Sequence, residues 1–493
     1  MNKAARFVLS VFLLLPALLF CRGCSSGASM SPAPGETRLV IFHSNDVHGK
    51  IDNFAKVAAI LKRERESGAD VFYFCAGDNF TGNPIVDRFN PPGEPMLQLL
   101  NRLGLDLLAV GNHEFDYGLA VLENFAARAR FPLLAANIQA PPGAFPQLRP
   151  SVVLEASGGI KIAVFGLIQI EKASGLPSTL PERVKGLTFS EPLQAALEMK
   201  TMRPGNHVLI ALTHIGYDQD RLLAERMPEL DVIIGGHSHT RVDPAEIVNG
   251  VLIAQTGSDN RFLGRVELRM RDGRVIEKKG RLIDLRGKLK EDPEVKAMID
   301  RFNRNPALTR VLATAPFDIT GKEELGCLMT DAWRRELGLD IAFQNNGGIR
   351  LNRLDKKITL KDVYALDPFD NQVVEITMTA AEIRGLVRES FERGDDIDLQ
   401  VSGITYTVRT DKDQSVKEVL LRGAGGKALP EDRTFTVGFS SFIPSAYRFE
   451  HKDPGRSLGI STADVLIHFL ERHPDLSVYR DIRRAFVETE GQS

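Results

Sequence analysis

Residues able to bind divalent metal ions occur in five short clusters in the first half of this 493-residue chain. Together they offer carboxylates, amides and imidazoles but no thiolate, which suits a hydrolytic metal centre better than a structural zinc site. The five clusters are Asp46-Val47-His48, Gly77-Asp78-Asn79, Gly111-Asn112-His113-Glu114, Thr213-His214 and Gly235-Gly236-His237-Ser238-His239.

Each cluster comes just after a short apolar stretch that is typical of a β-strand. Amphipathic segments such as residues 54–66 and 95–103 alternate with these stretches, and the pattern predicts an α/β domain over residues 36–288. Loops at the carboxyl ends of strands in an α/β sheet meet at one crevice, so we expect the five clusters to converge. The strand-like stretches are residues 39–42, 71–74, 105–110, 208–212 and 232–234.

Seven residues of these clusters are candidate metal ligands. If the carboxylate of Asp78 bridges two ions, the seven ligands give each ion four. This count is expected for a two-metal hydrolase whose ions lie about 3.5–4 Å apart. The seven candidates are Asp46, His48, Asp78, Asn112, His214, His237 and His239.

The ordered clusters resemble those of the calcineurin-like metallophosphoesterases over residues 37–285. Within them, Asn112-His113-Glu114-Phe115-Asp116 is similar to the signature of the 5′-nucleotidase branch. The resemblance implies a four-layer α/β sandwich that holds two divalent ions, such as zinc, manganese or cobalt. It implies that one ion is held by Asp46, His48, Asp78 and His239, and the other by Asp78, Asn112, His214 and His237.

The same resemblance implies catalytic roles for His113 and Asp116. His113 would face the substrate phosphate, and Asp116 would orient its imidazole. The transition state of phosphoryl transfer spreads negative charge over the phosphoryl oxygens, and two cations plus an imidazolium would stabilise that charge.

Residues 310–493 are predicted to form a second, smaller α/β domain. A charged helical segment at residues 289–309 precedes it. This segment is predicted to be a linker helix between the domains, and a last helix of the first domain is the second, alternative interpretation. In the second domain, Thr379-Ala380-Ala381-Glu382 predicts a capping box at the start of a helix.

The second domain resembles the carboxyl-terminal, substrate-binding domain of 5′-nucleotidases. The stretch Asn345-Asn346-Gly347-Gly348-Ile349-Arg350 is similar to one whose Asn and Arg contact the nucleotide, which implies that role for Asn345 and Arg350. Asp367-Pro368-Phe369 resembles a turn whose Phe stacks on the base, which implies that role for Phe369. Such stacking accepts any base, because every base has a π-face.

The chain departs from this family at a late loop. There the family has a glycine-rich loop whose Phe forms the other side of the base clamp. This chain instead reads Phe442-Ile443-Pro444-Ser445-Ala446-Tyr447-Arg448-Phe449. Tyr447 and Phe449 are the candidates for the second stacking residue, and the altered loop leaves the preferred substrate open.

Composition and charge are those of an ordinary globular protein. Hydrophobic residues make up 43% and charged residues 26% of the chain, and the net charge is −2. Without a basic excess, nucleic-acid binding is not expected. Cys75 and Cys327 are expected to be packed thiols rather than a disulfide.

The first residues are typical of an export signal. A basic start precedes an apolar run at residues 7–20, which is too short to span a bilayer. Cys24 is the expected site of lipid attachment, with residues 25–35 as a flexible tether. Lipid attachment at Cys21 and simple cleavage of the signal are the alternatives.

The leading hypothesis is an exported, membrane-anchored, two-metal phosphohydrolase that releases phosphate from nucleotides. Its substrates could be nucleoside 5′-monophosphates, nucleotide sugars or 2′,3′-cyclic nucleotides. One alternative is a phosphatase for a non-nucleotide ester, and another is a non-catalytic surface-binding protein. Such binding proteins typically lose metal ligands, whereas all seven candidates and His113 are present here.

Overall fold

The computed structural model describes residues 36–489 except residues 173 and 474. The predicted export signal and Cys24 lie outside the described residues. The chain forms two α/β domains in succession, as the sequence predicts.

The described residues of the first domain form fifteen strands and seven α-helices. The strands are β1 Glu36–Ser44, β2 Asp70–Cys75, β3 Leu107–Ala109, β4 Leu133–Leu134, β5 Ile138–Gln139, β6 Leu148–Arg149, β7 Ser151–Ala156, β8 Ile160–Ile168, β9 Thr188–Phe189, β10 Val208–His214, β11 Val232–Ile234, β12 Glu246–Val248, β13 Val251–Ala254, β14 Phe262–Arg271 and β15 Arg274–Asp284. The helices are α1 Phe54–Arg65, α2 Pro84–Asp87, α3 Glu94–Leu103, α4 Leu119–Arg128, α5 Pro192–Glu198, α6 Tyr217–Arg226 and α7 Pro293–Asn303.

Two large sheets of this domain face each other. Their strand orders are β15-β14-β1-β2-β3-β4-β6 and β12-β13-β11-β10-β8-β7. Buried residues such as Ile41 in the first sheet and Ile210 in the second share the core between them. Helices α1, α3, α4 and α7 cover the outer face of the first sheet, and α5 and α6 cover that of the second. The result is the predicted four-layer sandwich.

The strand pattern explains why the metal-binding clusters meet. In β1, Val40 and Phe42 face the helices while Leu39 and Ile41 face the opposite sheet, so both faces of the strand are buried. Strands β1, β2 and β3 run parallel, as do β10 and β11. Their carboxyl ends therefore open at the same edge of the sandwich.

Helix α7 belongs to the core of the first domain. The side chain of Asp292 accepts the backbone N–H groups of Glu294 and Val295 and so caps the helix. Its buried residues Val295, Ile299 and Phe302 pack in the same core as α1 and α3. This packing agrees with the second interpretation of the segment, as the last helix of the first domain.

In the part of the second domain that the structure describes there are twelve strands and five α-helices. The strands are β16 Val311–Thr314, β17 Ile319–Thr320, β18 Ile341–Asn345, β19 Arg353–Leu354, β20 Lys357–Thr359, β21 Gln372–Thr379, β22 Leu399–Ser402, β23 Thr405–Thr410, β24 Val416–Arg422, β25 Thr434–Ser440, β26 Arg456–Ser461 and β27 Ala485–Thr489. The helices are α8 Gly321–Leu337, α9 Leu360–Leu366, α10 Ala380–Glu392, α11 Phe442–Ala446 and α12 Thr462–Arg472.

A five-stranded sheet in the order β22-β18-β25-β21-β26 organises this domain. Helices α8, α9 and α12 share a core on one side, and α10 packs with β23 and β24 on the other. The predicted capping box is present, because Thr379 and Glu382 exchange side-chain-to-backbone hydrogen bonds at the start of α10.

The buried thiols are also confirmed. Cys75 lies in β2 and Cys327 in α8, and both are free and buried. Burial raises the pKa of the Cys75 thiol to about 12 and that of Cys327 to about 11, so both stay protonated at neutral pH. Within residues 36–489 as described, no helix combines the length and apolarity needed to cross a bilayer.

Candidate metal centre and active site

The seven candidate ligands converge at the edge where the strands end. Two groups form, and within each group the ligand atoms lie within 4.8 Å of one another. Asn112 joins the second group, since its Oδ1 lies 3.1 Å from Nδ1 of His237. The first group is Asp46, His48 and His239, and the second is Asp78, His214 and His237.

Hydrogen bonds fix which nitrogen two of the histidines present to the centre. Nδ1 of His48 lies 2.9 Å from the carbonyl oxygen of Thr81, and Nδ1 of His214 lies 2.7 Å from that of Ala76. A carbonyl oxygen only accepts, so each Nδ1 carries the proton and donates it. Nε2 of both rings is thereby directed at the centre.

The donor atoms fit a pair of divalent cations. Nε2 of His48 lies 3.1 Å from Nε2 of His239, so two imidazole nitrogens face each other. Nε2 of His214 is buried and 3.0 Å from Oδ2 of Asp78, yet it makes no hydrogen bond. Buried polar atoms are rarely left in this way unless an ion or water satisfies them.

The buried carboxylates at the site also favour positive charge near them. Burial disfavours a charged His214 ring, but the carboxylates of Asp78 and Asp46 outweigh burial and raise the pKa of His214 to about 10. Burial raises the pKa of the Asp78 carboxyl, but the neighbouring rings of His214 and His113 outweigh burial and hold that pKa well below its usual range. The raised pKa of His214 shows that the carboxylates at this site favour a positive charge beside them.

The backbone at the site is strained. Among described residues, positive φ angles occur at five of the seven candidate ligands, in the left-handed region that residues other than glycine seldom adopt. Such strain gathers at functional sites, where the surrounding structure enforces it. The five are Asp46 (49°), His48 (49°), Asp78 (55°), His237 (79°) and His239 (55°).

Two glycines allow these loops to approach closely. Gly77 has φ 85°, and a Cβ there would lie 2.7 Å from Nδ1 of His214. A Cβ at Gly111 would lie 2.8 Å from the backbone nitrogen of Asp78. Both distances are shorter than side chains tolerate, so the glycines in these clusters have a packing reason.

Two residues that the sequence analysis did not single out support the ligand loops. The buried carboxylate of Glu114 accepts backbone N–H groups from Asp78 at 2.8 Å, Asn79 at 2.7 Å and Gly111 at 2.7 Å. Asn45 donates to Oδ2 of Asp46 at 2.6 Å. The position of Glu114 inside a cluster indicates that it lies near the site. The sequence alone does not show whether its carboxylate binds a metal or accepts hydrogen bonds from the loops.

His113 and Asp116 form a hydrogen-bonded pair beside the two ligand groups. Nδ1 of His113 donates to Oδ2 of Asp116 over 2.7 Å, and Nε2 lies 4.0 Å from Oδ2 of Asp78. Burial opposes protonation of His113, but Asp116 and Asp78 outweigh it and raise the pKa of the imidazole. The ring can therefore offer a positive charge next to the centre.

A cavity of about 380 Å³ opens between the two domains beside His113. Arg350 and Phe369 reach into the first domain from the second. Nη2 of Arg350 lies 3.3 Å from Nε2 of His48, and the ring of Phe369 stacks on that of His113 with centroids 5.7 Å apart. Asn345 lines the same cavity, and its buried Oδ1 has no hydrogen-bond partner among described residues.

The late loop differs from the expectation. Phe449 does not line the cavity but packs against Phe439 and His451, so the proposal that it stacks on a base is withdrawn. Tyr447 does line the cavity, although its hydroxyl bonds to Asp398. Phe442 lines it as well and was missed. The cause is helix α11, which follows β25 and changes which residues of the loop face the cavity.

Two family models match the chain. The calcineurin-like phosphoesterase model matches residues 39–241, and the 5′-nucleotidase C-terminal domain model matches residues 308–447. Residues 39–241 thus belong to the calcineurin-like phosphoesterases, a family of metal-dependent phosphoester hydrolases, and residues 308–447 form the C-terminal domain of 5′-nucleotidases. The family predicted from the motifs is confirmed.

Individual proteins similar to this chain include 5′-nucleotidases and a nucleotide phosphoesterase. The chain is 27% identical to a 5′-nucleotidase of Vibrio cholerae over 93% of this chain and 95% of that protein. It is 28% identical to the trifunctional nucleotide phosphoesterase protein YfkN of Bacillus subtilis over 84% of this chain but only 32% of that protein, about a third of its length. The structure of a 5′-nucleotidase precursor from Thermus thermophilus shares the fold, with a TM-score of 0.77, 23% identity, and coverage of 91% and 99% of the two chains.

Glu114 is predicted to be essential to the architecture of the centre. Glu114→Ala would leave three buried N–H groups without an acceptor, at a cost of about 1–3 kcal/mol each. We expect a lower urea midpoint and reduced metal content by mass spectrometry. Glu155→Ala, at an exposed position of β7, is the control and should change stability by no more than about 0.5 kcal/mol. An unchanged midpoint for Glu114→Ala would contradict this role.

Proposed function

We propose that this chain is a two-metal phosphohydrolase that releases phosphate from nucleotides. The observation that carries the proposal is the position of Phe369. Its ring, from the second domain, stacks on His113 of the first domain, next to both groups of candidate metal ligands. An aromatic ring and the candidate metal centre therefore line the same cavity, which is the combination that a nucleotide site requires.

Two divalent cations are the cofactors in this proposal. Asp46, His48, Asp78 and His239 would hold one ion, and Asp78, Asn112, His214 and His237 would hold the other. When bound, such ions supply positive charge to phosphoryl oxygens and lower the pKa of water.

The residues around the ions would complete the chemistry. His113 would direct its imidazolium at the phosphoryl oxygens and stabilise the charge that develops on them. Asp116 would keep the ring in place by accepting from Nδ1. Arg350, which reaches the ring of His48, would add a cation from the second domain.

Further positive charge favours an anionic substrate. A polar pocket of about 200 Å³ on the other side of His48 and His239 is lined by Lys50, Lys322 and Arg350. Both lysines bond to backbone carbonyl oxygens, those of Gly82 and Ile349, rather than to carboxylates. Neither lysine has an ion pair among the described residues, and the carboxylate of Asp259 is the one negative charge that lines the pocket beside them.

Nucleotides fit the cavity better than a simple ester does. Phe369 and Phe442 offer aromatic surfaces on which a base can stack. Asn345 offers an unpaired oxygen to a hydroxyl or amino group. Nucleoside monophosphates, nucleotide sugars and 2′,3′-cyclic nucleotides all carry a base that could stack and polar groups that could bond to Asn345. The alternative, a phosphatase for a non-nucleotide ester, is favoured only by the altered loop around α11.

Export and anchoring are also part of the proposal. The pattern of basic and apolar residues before Cys24 supports export, and Cys24 with the tether at residues 25–35 supports attachment to a bacterial membrane. The active domains would then act outside the cytoplasm.

The proposal is tested with purified full-length protein loaded with Mn²⁺, Zn²⁺ or Co²⁺. We expect hydrolysis of AMP, a UDP-sugar, 2′,3′-cyclic AMP or several of these, and loss of nearly all activity after chelation or in Asp78→Asn. Turnover that persists after verified metal removal would rule out the mechanism. Hydrolysis of p-nitrophenyl phosphate without that of any nucleotide would favour the alternative phosphatase.

His113 is predicted to act in catalysis and not in metal binding. His113→Ala should keep both metals and lose about 10²–10⁴ in kcat, the range for one charge-stabilising or proton-transferring group. Asp116→Asn should show a smaller loss. Metal content measured beside turnover decides the matter, since a variant that loses metal would identify His113 as a ligand.

Phe369 is predicted to favour nucleotides over small esters. Phe369→Ala should weaken kcat/KM for a nucleotide by about 1–3 kcal/mol, the contribution of one stacked base. The ring also contacts His113, so a small loss on p-nitrophenyl phosphate is expected as well. The informative quantity is the excess loss on the nucleotide. Phe442→Ala, which leaves His113 untouched, should show this excess alone. Equal losses on both substrates in both variants would mean that neither ring binds the base.

A further inference from the structure

Arg183 joins the two domains at the active site, and the proposed function does not use it. One guanidinium nitrogen lies 3.1 Å from Oδ1 of Asp116. The other donates to the backbone carbonyl oxygen of Phe369 in the second domain, at 2.8 Å. The side chain is only 14% exposed, so both contacts are sheltered from water.

The two oxygens of the Asp116 carboxylate have different hydrogen-bond partners. Oδ2 accepts from Nδ1 of His113 over 2.7 Å. Oδ1 accepts from Arg183 at 3.1 Å, and the hydroxyl of Thr179 donates to the same oxygen over the longer distance of 3.5 Å. A carboxylate held at one oxygen can still rotate about its own bond. Held at both, it is fixed, and the imidazole bonded to it is fixed in turn.

The contact with Phe369 extends this support across the domains. The ring of Phe369 stacks on His113, and its carbonyl oxygen accepts from Arg183. His113, Asp116, Arg183 and Phe369 therefore form a closed ring of four contacts. Three members belong to the first domain, and the fourth arrives with the second domain.

The segment that carries Arg183 is itself anchored. It lies in a short 3₁₀ turn, Pro181–Val184. Leu180 before it is buried, and Val184 and Leu187 are buried in the core shared with α1 and α3. The guanidinium is therefore held by packing on its own side and is not a freely moving surface group.

We infer that Arg183 is a positioning residue that fixes the Asp116–His113 pair when the second domain lies over the metal centre. The inference rests on the proposed function. Its chemistry is suited to arginine, because a planar guanidinium can donate to two acceptors in fixed directions, whereas an ammonium is a single point charge.

The test is a double-mutant cycle measured on p-nitrophenyl phosphate, which does not depend on base stacking. Arg183→Gln should lower kcat roughly tenfold to a hundredfold, the scale of a misplaced catalytic group, with little change in KM. In the Asp116→Asn background the same substitution should cost nothing further, because residues that act as a unit are not additive. Arg183→Lys should recover part of the loss.

Arg88→Gln is the matched control. Arg88 also contacts the second domain, with its guanidinium 3.6 Å from Asp370 and 4.2 Å from the ring centroid of Tyr364, but it does not touch the His113–Asp116 pair. Its variant should keep the kcat of the unmodified protein. Melting temperature and metal content are recorded for every variant. Should Arg183→Gln not fold, the same cycle is run with Arg183→Lys.

An unchanged kcat in Arg183→Gln, or an equal loss with and without Asp116→Asn, would overturn the inference. An equal loss in Arg88→Gln would do so too, because it would assign the effect to domain contact in general. Failure of the proposed function looks different, since it is measured on the unmodified, metal-loaded protein, which would then hydrolyse no nucleotide, whatever the Arg183 variants do on p-nitrophenyl phosphate.

Discussion

The carboxylate of Asp78 is buried where strands β2, β3 and β10 end, and its charge constrains everything around it. A buried carboxylate must be paired or hydrogen-bonded to be tolerated. The backbone N–H of His113 donates to it, and the ring of His214 lies 3.0 Å away. Asp46 brings a second buried carboxylate to the same edge. Two sheets must end in register for these groups to meet, so the sandwich and the charge cluster depend on each other.

The two domains divide the remaining requirements. The candidate metal ligands leave from strand ends packed on both faces, which gives them fixed positions. The second domain supplies Arg350, Phe369 and Phe442 from turns and a short helix. Loops vary more readily than packed strands. A change of substrate can therefore arise in the second domain without disturbing the centre, which is why the motifs identify the chemistry more firmly than the substrate.

The contrast between packed strand ends and variable loops also explains which site residues the sequence could predict. Ligands such as Asp46 and His237 follow short buried strands, and strand ends in an α/β sheet have a predictable location. The roles of Glu114 and Arg183 depend on contacts with backbone groups far away in the chain, which no local pattern records. Phe449 was assigned wrongly because helix α11 alters the direction of the loop, and a short helix after a strand leaves little periodic signal.

Bound cations would offset both the backbone strain and the electrostatic repulsion at the candidate metal centre. Residues such as His48 and His239 hold left-handed backbone angles, each at a cost of about 1 kcal/mol or more. The clustered carboxylates add an electrostatic cost, which also raises the pKa of His214. Cations bound to these ligands would neutralise the carboxylates and satisfy the facing imidazole nitrogens. A ligand that binds only the folded state stabilises that state. Metal binding to the candidate ligands would thus be linked to folding, through the strained loops that carry those ligands.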